Sequence, residues 1–277
     1  MNSGLEKTNH TSFMYYDSDY PSTIFPGYQE NLDGILETQG LKYDLEKYAE
    51  LAKKASGDVL ELCCGTGRVA LALLSTGFNV TAVDFCEEFL IQFKKKLGEM
   101  PELPGKTNIV LQDVTNLDLD NKDHGLTIMA FNSLLCITDF ESQLLALKKA
   151  SEHMVKGGIL ALDLMNPLNL NFKGDPQAVP FFTRRNPYNG NTYTRFAAVG
   201  PMSEKQVQKL YGWYDETDKT GNLKRNYYEM HWRPVFRYEI ELMLEKTGFK
   251  LTNIYGGHRN EKFEPSSKKM FIEAIKI

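Results

Sequence analysis

The sequence predicts an α/β fold, with a doubly wound, seven-stranded and mostly parallel sheet and an antiparallel β insertion as its cap. Short apolar runs alternate with helical patterns between residues 58 and 164, which is typical of consecutive βαβ units with right-handed crossovers. Period-two runs without helices fill residues 192–236, and this alternation indicates antiparallel strands. Residues 238–247 return to a helical pattern, and two apolar runs after them predict a terminal antiparallel hairpin.

The first part of the chain predicts five strands with helices between them. One helix begins with Asp44 as its N-cap, and Ser56-Gly57 ends it. A capping box at residues 138–141 opens the last helix of this part, over 142–154. The predicted strands are 58–62, 80–83, 109–111, 126–131 and 159–164.

The pattern changes after Asn166-Pro167. Residues 168–190 are rich in Asn, Pro and Gly and predict a loop, which period-two strands follow. Residues 1–40 carry many aromatic side chains, which disordered segments lack, and we interpret them as an ordered lid. The predicted division of the chain is a lid segment at 1–40, a main domain at 41–167 and 237–277, and a β cap at 168–236.

Composition favours a single enzyme of the cytoplasm. The chain has 277 residues, 42% of them hydrophobic, so it can bury a large core. A net charge of −4 gives no general attraction to nucleic-acid backbones. A polar N-terminus and the lack of a long apolar run predict neither signal peptide nor membrane segment. No metal-ligand spacing links the four cysteines, which we expect to be reduced: Cys63, Cys64, Cys86 and Cys136.

A Gly-Thr-Gly turn is the most informative motif. An apolar run ends at Leu62, the turn from Gly65 to Gly67 follows, and a helical pattern begins directly after it. A second apolar run ends at Asp84, 17 residues after Gly67. Such a unit binds a nucleoside, because glycines let the backbone approach the ligand and the acid receives ribose hydroxyls.

The acid before the turn distinguishes two classes of nucleoside cofactor. Dinucleotide enzymes bind a pyrophosphate beside this turn, where the carboxylate of Glu61 would repel it. S-adenosylmethionine has no phosphate and carries an ammonium and a sulfonium, which a carboxylate helps to hold. Glu61 therefore favours S-adenosylmethionine over a nicotinamide dinucleotide.

The stretch from Glu61 to Arg68 resembles the first motif of class I S-adenosylmethionine-dependent methyltransferases, E-x-G-C-G-T-G-R. Cys63 departs from the family's usual glycine, and a positive φ at this residue would be strained. The resemblance implies a Rossmann-like methyltransferase fold and spans residues 43–167 and 233–277. Four further pieces stand in the family's order: Asp84, Gln112-Asp113-Val114, Phe131-Asn132-Ser133-Leu134 and Val155–Ile159.

The resemblance assigns cofactor-binding roles to seven residues. Glu61 organises the glycine loop and reaches the ammonium, and Asp84 accepts the ribose hydroxyls. Asp113 takes the adenine amine while the Val114 amide bonds a ring nitrogen. Alternatives remain open, since Asp84 is also a plausible helix cap and Asp113 a plain loop carboxylate. The full predicted set is Glu61, Gly65, Gly67, Asp84, Asp113, Val114 and Asn132.

Candidate catalytic residues are His231, Asn132 and Asp163. Asn132 is predicted to face the methyl group, and His231 is the best candidate base because imidazole titrates near neutral pH. Asp163 and Asn166 follow the fifth strand and are candidates to orient the methyl acceptor. Aromatic residues that are candidates for an acceptor pocket are Tyr15, Tyr16, Tyr211 and Trp213. His258 follows two glycines and is a further candidate, but no sequence pattern fixes its position at this edge.

The predicted function is methyl transfer from S-adenosylmethionine to a nitrogen or oxygen of a small molecule, by in-line displacement. The acceptor motifs of DNA methyltransferases are missing after the fourth strand. We expect no metal, no nucleic-acid partner, no membrane, and a monomer or homodimer. The alternatives are a methyltransferase acting on RNA or protein, a nicotinamide oxidoreductase, and a non-catalytic module that binds S-adenosylmethionine.

Overall fold

The computed structural model describes residues 13–25, 31–186 and 188–277. The predicted lid at 1–40 falls partly outside these ranges, because residues 1–12 and 26–30 are not among them. The chain forms two compact units, one of residues 1–41 and 170–234 and the other of 42–169 and 235–277. No helix among the described residues is long and apolar enough to cross a membrane.

Seven α-helices lie within the described residues. In chain order they are α1 (Tyr16–Asp19), α2 (Leu32–Gln39), α3 (Asp44–Lys54), α4 (Arg68–Ser75), α5 (Glu87–Glu99), α6 (Phe140–Glu152) and α7 (Arg237–Lys246).

Eleven strands lie within the same ranges. They are β1 (Val59–Leu62), β2 (Val80–Asp84), β3 (Thr107–Leu111), β4 (His124–Met129), β5 (Met154–Met165), β6 (Asp175–Arg185), β7 (Thr192–Val199), β8 (Gln208–Thr217), β9 (Leu223–Trp232), β10 (Phe249–Tyr255) and β11 (Lys269–Lys276).

The larger unit contains a seven-stranded sheet in the order β10-β11-β5-β4-β1-β2-β3. Strands β1 to β5 pair in parallel, and β11 runs antiparallel to both β5 and β10. The order reverses between β1 and β4, so their carboxyl ends flank the topological switch point where such sheets bind ligands. Both strands are buried along their whole length. The predicted seven-stranded, mostly parallel fold is confirmed.

The second unit contains a four-stranded antiparallel sheet in the order β6-β7-β8-β9. The predicted antiparallel insertion is therefore confirmed, but the predicted loop at 168–190 is wrong. Residues 175–185 of that stretch form β6, which lies at one edge of this sheet. Pro176 and Pro180 are tolerated there because an edge strand leaves half of its backbone groups unpaired.

A buried polar cluster joins the N-terminal segment to this sheet within the same unit. We call it the tyrosine cluster: Asp19, Tyr193, Arg195, Tyr214 and Tyr228. Asp19 accepts hydrogen bonds from the hydroxyls of Tyr193 (2.6 Å) and Tyr214 (2.7 Å) and from Arg195 (3.0 Å). The Arg195 side chain also donates to the Tyr228 hydroxyl at 3.0 Å. None of its polar side-chain atoms is left buried without a partner.

Two predicted helix caps differ from the structure. Asp44 is the first residue inside α3 rather than its N-cap, and its carboxylate binds the Arg68 guanidinium instead. The N-cap of α6 is Asp139, whose side chain accepts from the Ser142 amide, so Thr138 does not open a capping box. The N-cap of α3 is Tyr43, which makes no side-chain capping bond, whereas Asp139 caps α6 because its carboxylate reaches a free amide of the first turn.

Candidate active site at the carboxyl ends of β1 and β4

Strained backbone marks one edge of the seven-stranded sheet. Directly after β1, Cys63, Gly65 and Gly67 all have positive φ, at 58°, 55° and 80°. Directly after β4, Phe131 and Asn132 have φ of 47° and 66°. Because β1 and β4 are parallel neighbours, both strained turns lie at the same edge, which we call the site edge. Strain of this kind clusters at functional sites, where the surrounding structure enforces it.

Gly67 is required by packing as well as by its φ. A Cβ atom at this residue would lie 2.3 Å from the Phe93 ring of α5. The missing side chain thus lets α5 approach the turn closely. The sequence predicts a second role for Gly67, which is to let the backbone come close to a ligand. These contacts do not test that role.

Glu61 is the last acid of β1 and is 2% exposed. One of its oxygens accepts a hydrogen bond from the Ala70 amide in the first turn of α4, and the other, Oε2, is buried with no partner. Burial raises the pKa of Glu61 to about 8, against the opposing effect of Arg68. The Arg68 charge is itself balanced by Asp44, whose Oδ1 lies 3.2 Å from Nη1. An unpartnered, buried carboxylate oxygen suits a positively charged ligand group.

Asp84 ends β2 and holds the glycine turn in place. Its Oδ2 accepts from the Gly65 amide at 2.8 Å, and its Oδ1 accepts from the Cys86 amide at 2.9 Å. The helix-cap alternative is thus present in the structure, since Cys86 is the N-cap of α5. Burial raises the pKa of Asp84. A carboxylate accepts about four hydrogen bonds, so both oxygens retain capacity for a ligand.

Asp113 and Val114 follow β3 at the same edge. Asp113 Oδ1 accepts from both the amide and the hydroxyl of Thr115, each at 2.8 Å. Among the described residues, no hydrogen bond reaches Asp113 Oδ2, and the Val114 amide donates none. Phe85, which directly follows Asp84, leaves 41% of its surface exposed here. Sequence reasoning missed Phe85, although an apolar residue directly after a strand-ending acid was a usable signal.

Asn132 connects the end of β4 to β5. Its amide donates to the Asp163 carbonyl at 2.7 Å, and its side-chain oxygen accepts from the Met165 amide at 2.6 Å. Asn132 follows β4 by three residues instead of ending it. These two bonds fix the left-handed turn at the site edge.

Asp163 is fully buried in β5 and is paired with two basic side chains. Its oxygens lie 2.9 Å and 3.1 Å from Lys269 Nζ, and Oδ2 lies 3.3 Å from Nε2 of His258. Burial on its own raises the pKa of Asp163, but Lys269 and His258 outweigh it and hold that pKa below its usual range. Asp163 is therefore ionised. Lys269 was not found from the sequence, because nothing in its local pattern points to Asp163.

The remaining predicted acceptor residues make contacts within their own units. Asn166 donates to the carbonyls of Pro265 and Ser267, so its amide supports a loop. His231 belongs to β9 in the other unit, where its Nε2 lies 3.6 Å from Glu229. Of the predicted aromatic wall, Tyr15 stacks on Tyr214 at 4.1 Å in the core of that unit. The others are Tyr16, which packs on Tyr20, Tyr211, which lies under Lys209, and Trp213, which stacks on Phe196.

Comparison with known proteins decides the class of this site. Residues 59–158, which contain the site edge up to Asn132, match the family described as methyltransferase domain. The chain carries a class I S-adenosylmethionine-dependent methyltransferase domain. It is an S-adenosylmethionine-dependent enzyme, and the unpartnered Glu61 oxygen fits the positive charge of that cofactor.

Three relatives of this methyltransferase cover most of its length. The cypemycin N-terminal methyltransferase of Streptomyces sp is 25% identical over 77% of the chain and 81% of its own. The CcbJ methyltransferase from Streptomyces caelestis is 22% identical, with a TM-score of 0.72 over 84% of this chain and 89% of that one. The sugar N-methyltransferase KedS8 from Streptoalloteichus sp is 15% identical, with a TM-score of 0.69 over 90% and 93%. The two structural likenesses show the fold.

Proposed function

We propose that this methyltransferase transfers a methyl group to the amine nitrogen of a small molecule, by in-line displacement. The observation that carries the proposal is the buried, unpartnered Oε2 of Glu61 beside the strained turns of the site edge. A buried acceptor without a partner costs about 1–3 kcal/mol, so such an atom persists where a ligand satisfies it. The cofactor supplies an activated methyl group with a good leaving group, and the protein supplies orientation and exclusion of water.

The proposed cofactor contacts follow from the free hydrogen-bonding capacity of each residue. Glu61 Oε2 holds the cofactor's ammonium, and the remaining lone pairs of Asp84 accept the two ribose hydroxyls. Asp113 Oδ2 accepts from the amine of adenine, the Val114 amide donates to a ring nitrogen, and the exposed Phe85 ring covers the adenine face. The backbone of Gly65 and Gly67 lines the path between these groups.

Nitrogen is the proposed acceptor atom for two reasons. Of the three relatives named above, one is a sugar N-methyltransferase by name and another is an N-terminal methyltransferase by name, and an N-terminus carries an amine. In addition, Asp84 and Asp113 form no ion pair with a lysine or arginine anywhere in the described ranges. This uncompensated negative charge favours the approach of a cationic amine over that of a neutral phenol.

A binding experiment tests the cofactor site first. Unfolding of the purified protein is followed with S-adenosylmethionine, S-adenosylhomocysteine or NAD added separately. A ligand at about 100 times its dissociation constant stabilises the folded state by about 2.7 kcal/mol, so the first two ligands should raise the midpoint by several degrees. A rise with NAD alone would contradict the proposed contacts.

An acceptor panel tests the reaction. S-adenosylhomocysteine formation is measured by mass spectrometry with D-glucosamine, glycine and a short peptide as amines, and with catechol as the oxygen acceptor. We expect product with at least one amine and none with catechol. Turnover of catechol alone would replace nitrogen by oxygen, and tight cofactor binding without turnover of any small molecule would favour an RNA or protein substrate or a non-catalytic role.

The segments that bind the acceptor stay a prediction. The sequence assigns this role to the lid segment at 1–40 and the cap at 168–236, and to His231 within the cap. Chemical cross-linking with a photoreactive amine acceptor, followed by peptide mapping, would identify the contacting segments. Labelling confined to residues outside these two ranges would remove the assignment.

A further inference from the structure

We propose that His258 is the catalytic base of this enzyme, accepting the acceptor's proton at Nδ1, and that Asp163 is its positioning residue. The inference rests on the proposed function, because an amine that arrives as a cation must lose a proton before its lone pair can attack the methyl carbon. It deepens that function by naming the group that receives the proton. Nothing in the sequence placed His258 at the site edge.

His258 is a buried imidazole on the loop between β10 and β11. Its ring packs against Phe271 of β11, with centroids 5.3 Å apart, and against Tyr48 of α3 at 6.3 Å. Both rings meet the imidazole in T-shaped arrangements, and only 8% of the residue is exposed to water. Bulk water therefore does not compete with the methyl acceptor for this base.

Asp163 decides which nitrogen of His258 is available. The buried Nε2 lies 3.3 Å from Asp163 Oδ2, as an electrostatic contact without hydrogen-bond geometry, and has no hydrogen-bond partner among the described residues. An ionised carboxylate accepts only, so the proton of the neutral imidazole belongs on Nε2. Nδ1 then carries the lone pair, and no group in the described part of the chain bonds to it. This arrangement holds one tautomer, as the acid does in a catalytic triad.

Lys269 keeps Asp163 ionised without occupying His258. Its ammonium bonds both Asp163 oxygens, at 2.9 Å and 3.1 Å, and lies over the Phe131 ring at 4.9 Å from the centroid. The buried pair is neutral as a whole. The Asp163 carboxylate therefore stands beside the imidazolium that forms when His258 takes up the proton.

A second buried ion pair holds the loop that carries His258. Lys47 of α3 bonds Asn260 Oδ1 at 2.7 Å and Glu273 Oε1 at 2.7 Å. Asn260 has a φ of 62°, so the loop turns sharply two residues after the imidazole. The ring is thus preorganised from two sides, by Asp163 and by the anchored loop. Preorganisation of this kind is what a proton acceptor needs to act in the transition state.

The backbone of Asp163 connects this base to the site edge. Its carbonyl accepts the Asn132 amide at 2.7 Å, so the two residues are neighbours across β4 and β5. Asn132 lies in the strained turn where the reacting methyl group is predicted. The charged and titratable groups around His258 are Asp163, Lys269, Tyr48, Lys47, Glu273, Arg259 and Glu261.

The proposed step conserves atoms and charge. The lone pair of the acceptor nitrogen forms the new bond to the methyl carbon while the carbon–sulfur bond breaks, and sulfur keeps that electron pair. This lone pair becomes available when the proton of the cationic amine passes to Nδ1 of His258, from which water takes it before the next turnover. No oxidant or further co-reactant is needed. General-base assistance of this kind contributes about 10²–10⁴-fold.

His258→Gln is the sharpest variant, because its side-chain amide still donates to Asp163 but offers no basic nitrogen. With an amine from the panel, we expect kcat to fall about 100-fold and the acid limb of its pH profile to disappear. The dissociation constant for S-adenosylmethionine, measured by calorimetry, should stay within about twofold. Lys262→Gln, on the same loop and exposed, is the matched control and should leave both quantities unchanged. Unchanged kcat in His258→Gln would overturn the proposal.

Nitrogen NMR of imidazole-labelled enzyme gives a readout that does not depend on turnover. We expect His258 to carry its proton on Nε2 at pH 8, and Asp163→Asn to lose this preference and lower kcat about tenfold. A proton on Nδ1 in the wild type would overturn the proposal. If the wild type methylates no amine, the proposed function fails. The NMR measurement still shows which nitrogen of His258 carries the proton, and so it still tests whether Asp163 positions His258.

Discussion

Two sets of buried polar residues in this protein differ in whether their polar atoms have hydrogen-bond partners. In the tyrosine cluster of the four-stranded sheet, Asp19 receives two hydroxyls and a guanidinium, and every buried polar atom has a partner. At the site edge of the seven-stranded sheet, Glu61 Oε2 and the Tyr48 hydroxyl are buried with none. Saturated networks stabilise and fix a structure, whereas unsatisfied ones cost stability unless a ligand completes them.

The backbone repeats this contrast. Three of the five non-glycine residues with positive φ in the described chain lie at the site edge: Cys63, Phe131 and Asn132. Each costs about 1–3 kcal/mol, and no compensating turn sequence accompanies them. No residue of the tyrosine cluster has a positive φ. The tyrosine cluster is thus arranged for stability, whereas the site edge has the strained backbone that is typical of ligand-binding sites.

The largest expected effect is on stability, in the saturated cluster. Asp19→Ala leaves the hydroxyls of Tyr193 and Tyr214 and the Arg195 charge buried without their acceptor. We expect the free energy of unfolding, measured by denaturant titration, to fall by about 3–5 kcal/mol. Asp120→Ala, which removes an exposed acid, should change it by less than about 0.5 kcal/mol. A loss below about 1 kcal/mol for Asp19→Ala would mean that the cluster is not the stabilising core of its unit.

The next effect is on ligand binding, at the site edge. Asp84→Ala removes the proposed acceptor of both ribose hydroxyls and the bonds to the Gly65 and Cys86 amides. Hydrogen bonds to a charged group contribute about 1.5–3 kcal/mol each, so we expect the affinity for S-adenosylmethionine to fall at least 100-fold. Calorimetry on the folded variant measures this, with circular dichroism as a check on folding. Micromolar binding retained by Asp84→Ala would refute the ribose assignment.

Much of the seven-stranded sheet follows from local pattern, because each of its parallel strands is a short apolar run bounded by turn residues. Strand β6 does not, since Asn, Pro and Gly at 168–190 indicate a loop and only pairing with β7 makes residues 175–185 extended. Edge strands depend on a partner far along the chain more than on their own composition.

The site divides in the same way. Glu61, Asp84 and Asp113 stand at strand ends beside a glycine turn, so their position is readable from the sequence. The pair of Asp163 and Lys269 spans 106 residues, and only the order of β5 and β11 brings it together. No spacing rule indicates such a contact. The structure therefore adds the contacts around Asp163, where the sequence has only isolated candidates.

A smaller effect on S-adenosylmethionine affinity tests whether the unpartnered oxygen of Glu61 binds the cofactor or is only buried. Glu61→Gln keeps the shape but cannot become negative, so we expect S-adenosylmethionine to bind about tenfold more weakly at pH 7.5. In the wild type the affinity should rise with pH between 6 and 7.5, because the pKa of Glu61 is about 8 and binding needs its ionised form. In the variant this dependence should vanish. Glu99→Gln, an exposed glutamate, is the control.

The same pKa determines whether the free energy of unfolding of the ligand-free protein rises or falls with pH. The folded-state pKa of Glu61, about 8, lies above the ordinary value of 4.5, so folding favours the protonated form. The stabilisation is therefore complete below about pH 4.5 and is lost as the pH rises toward 8. The slope is at most about 1.4 kcal/mol per pH unit. Glu61→Gln should flatten this part of the profile, and an identical slope in both proteins would assign it to another group.

The smallest expected effect concerns His231, the base predicted from the sequence. His231 lies near Glu229 at 3.6 Å, with about a quarter of its side chain exposed, whereas His258 is enclosed by rings and faces a buried carboxylate. A partly exposed imidazole is a weaker candidate, because water competes for the proton. We expect His231→Gln to lower kcat by no more than about threefold, measured beside His258→Gln with the same amine and pH range. If kcat falls as much in His231→Gln as in His258→Gln, the sequence-based hypothesis is restored. Part of the chemistry would then belong to the unit that contains the tyrosine cluster, and the contrast between the two units would no longer hold.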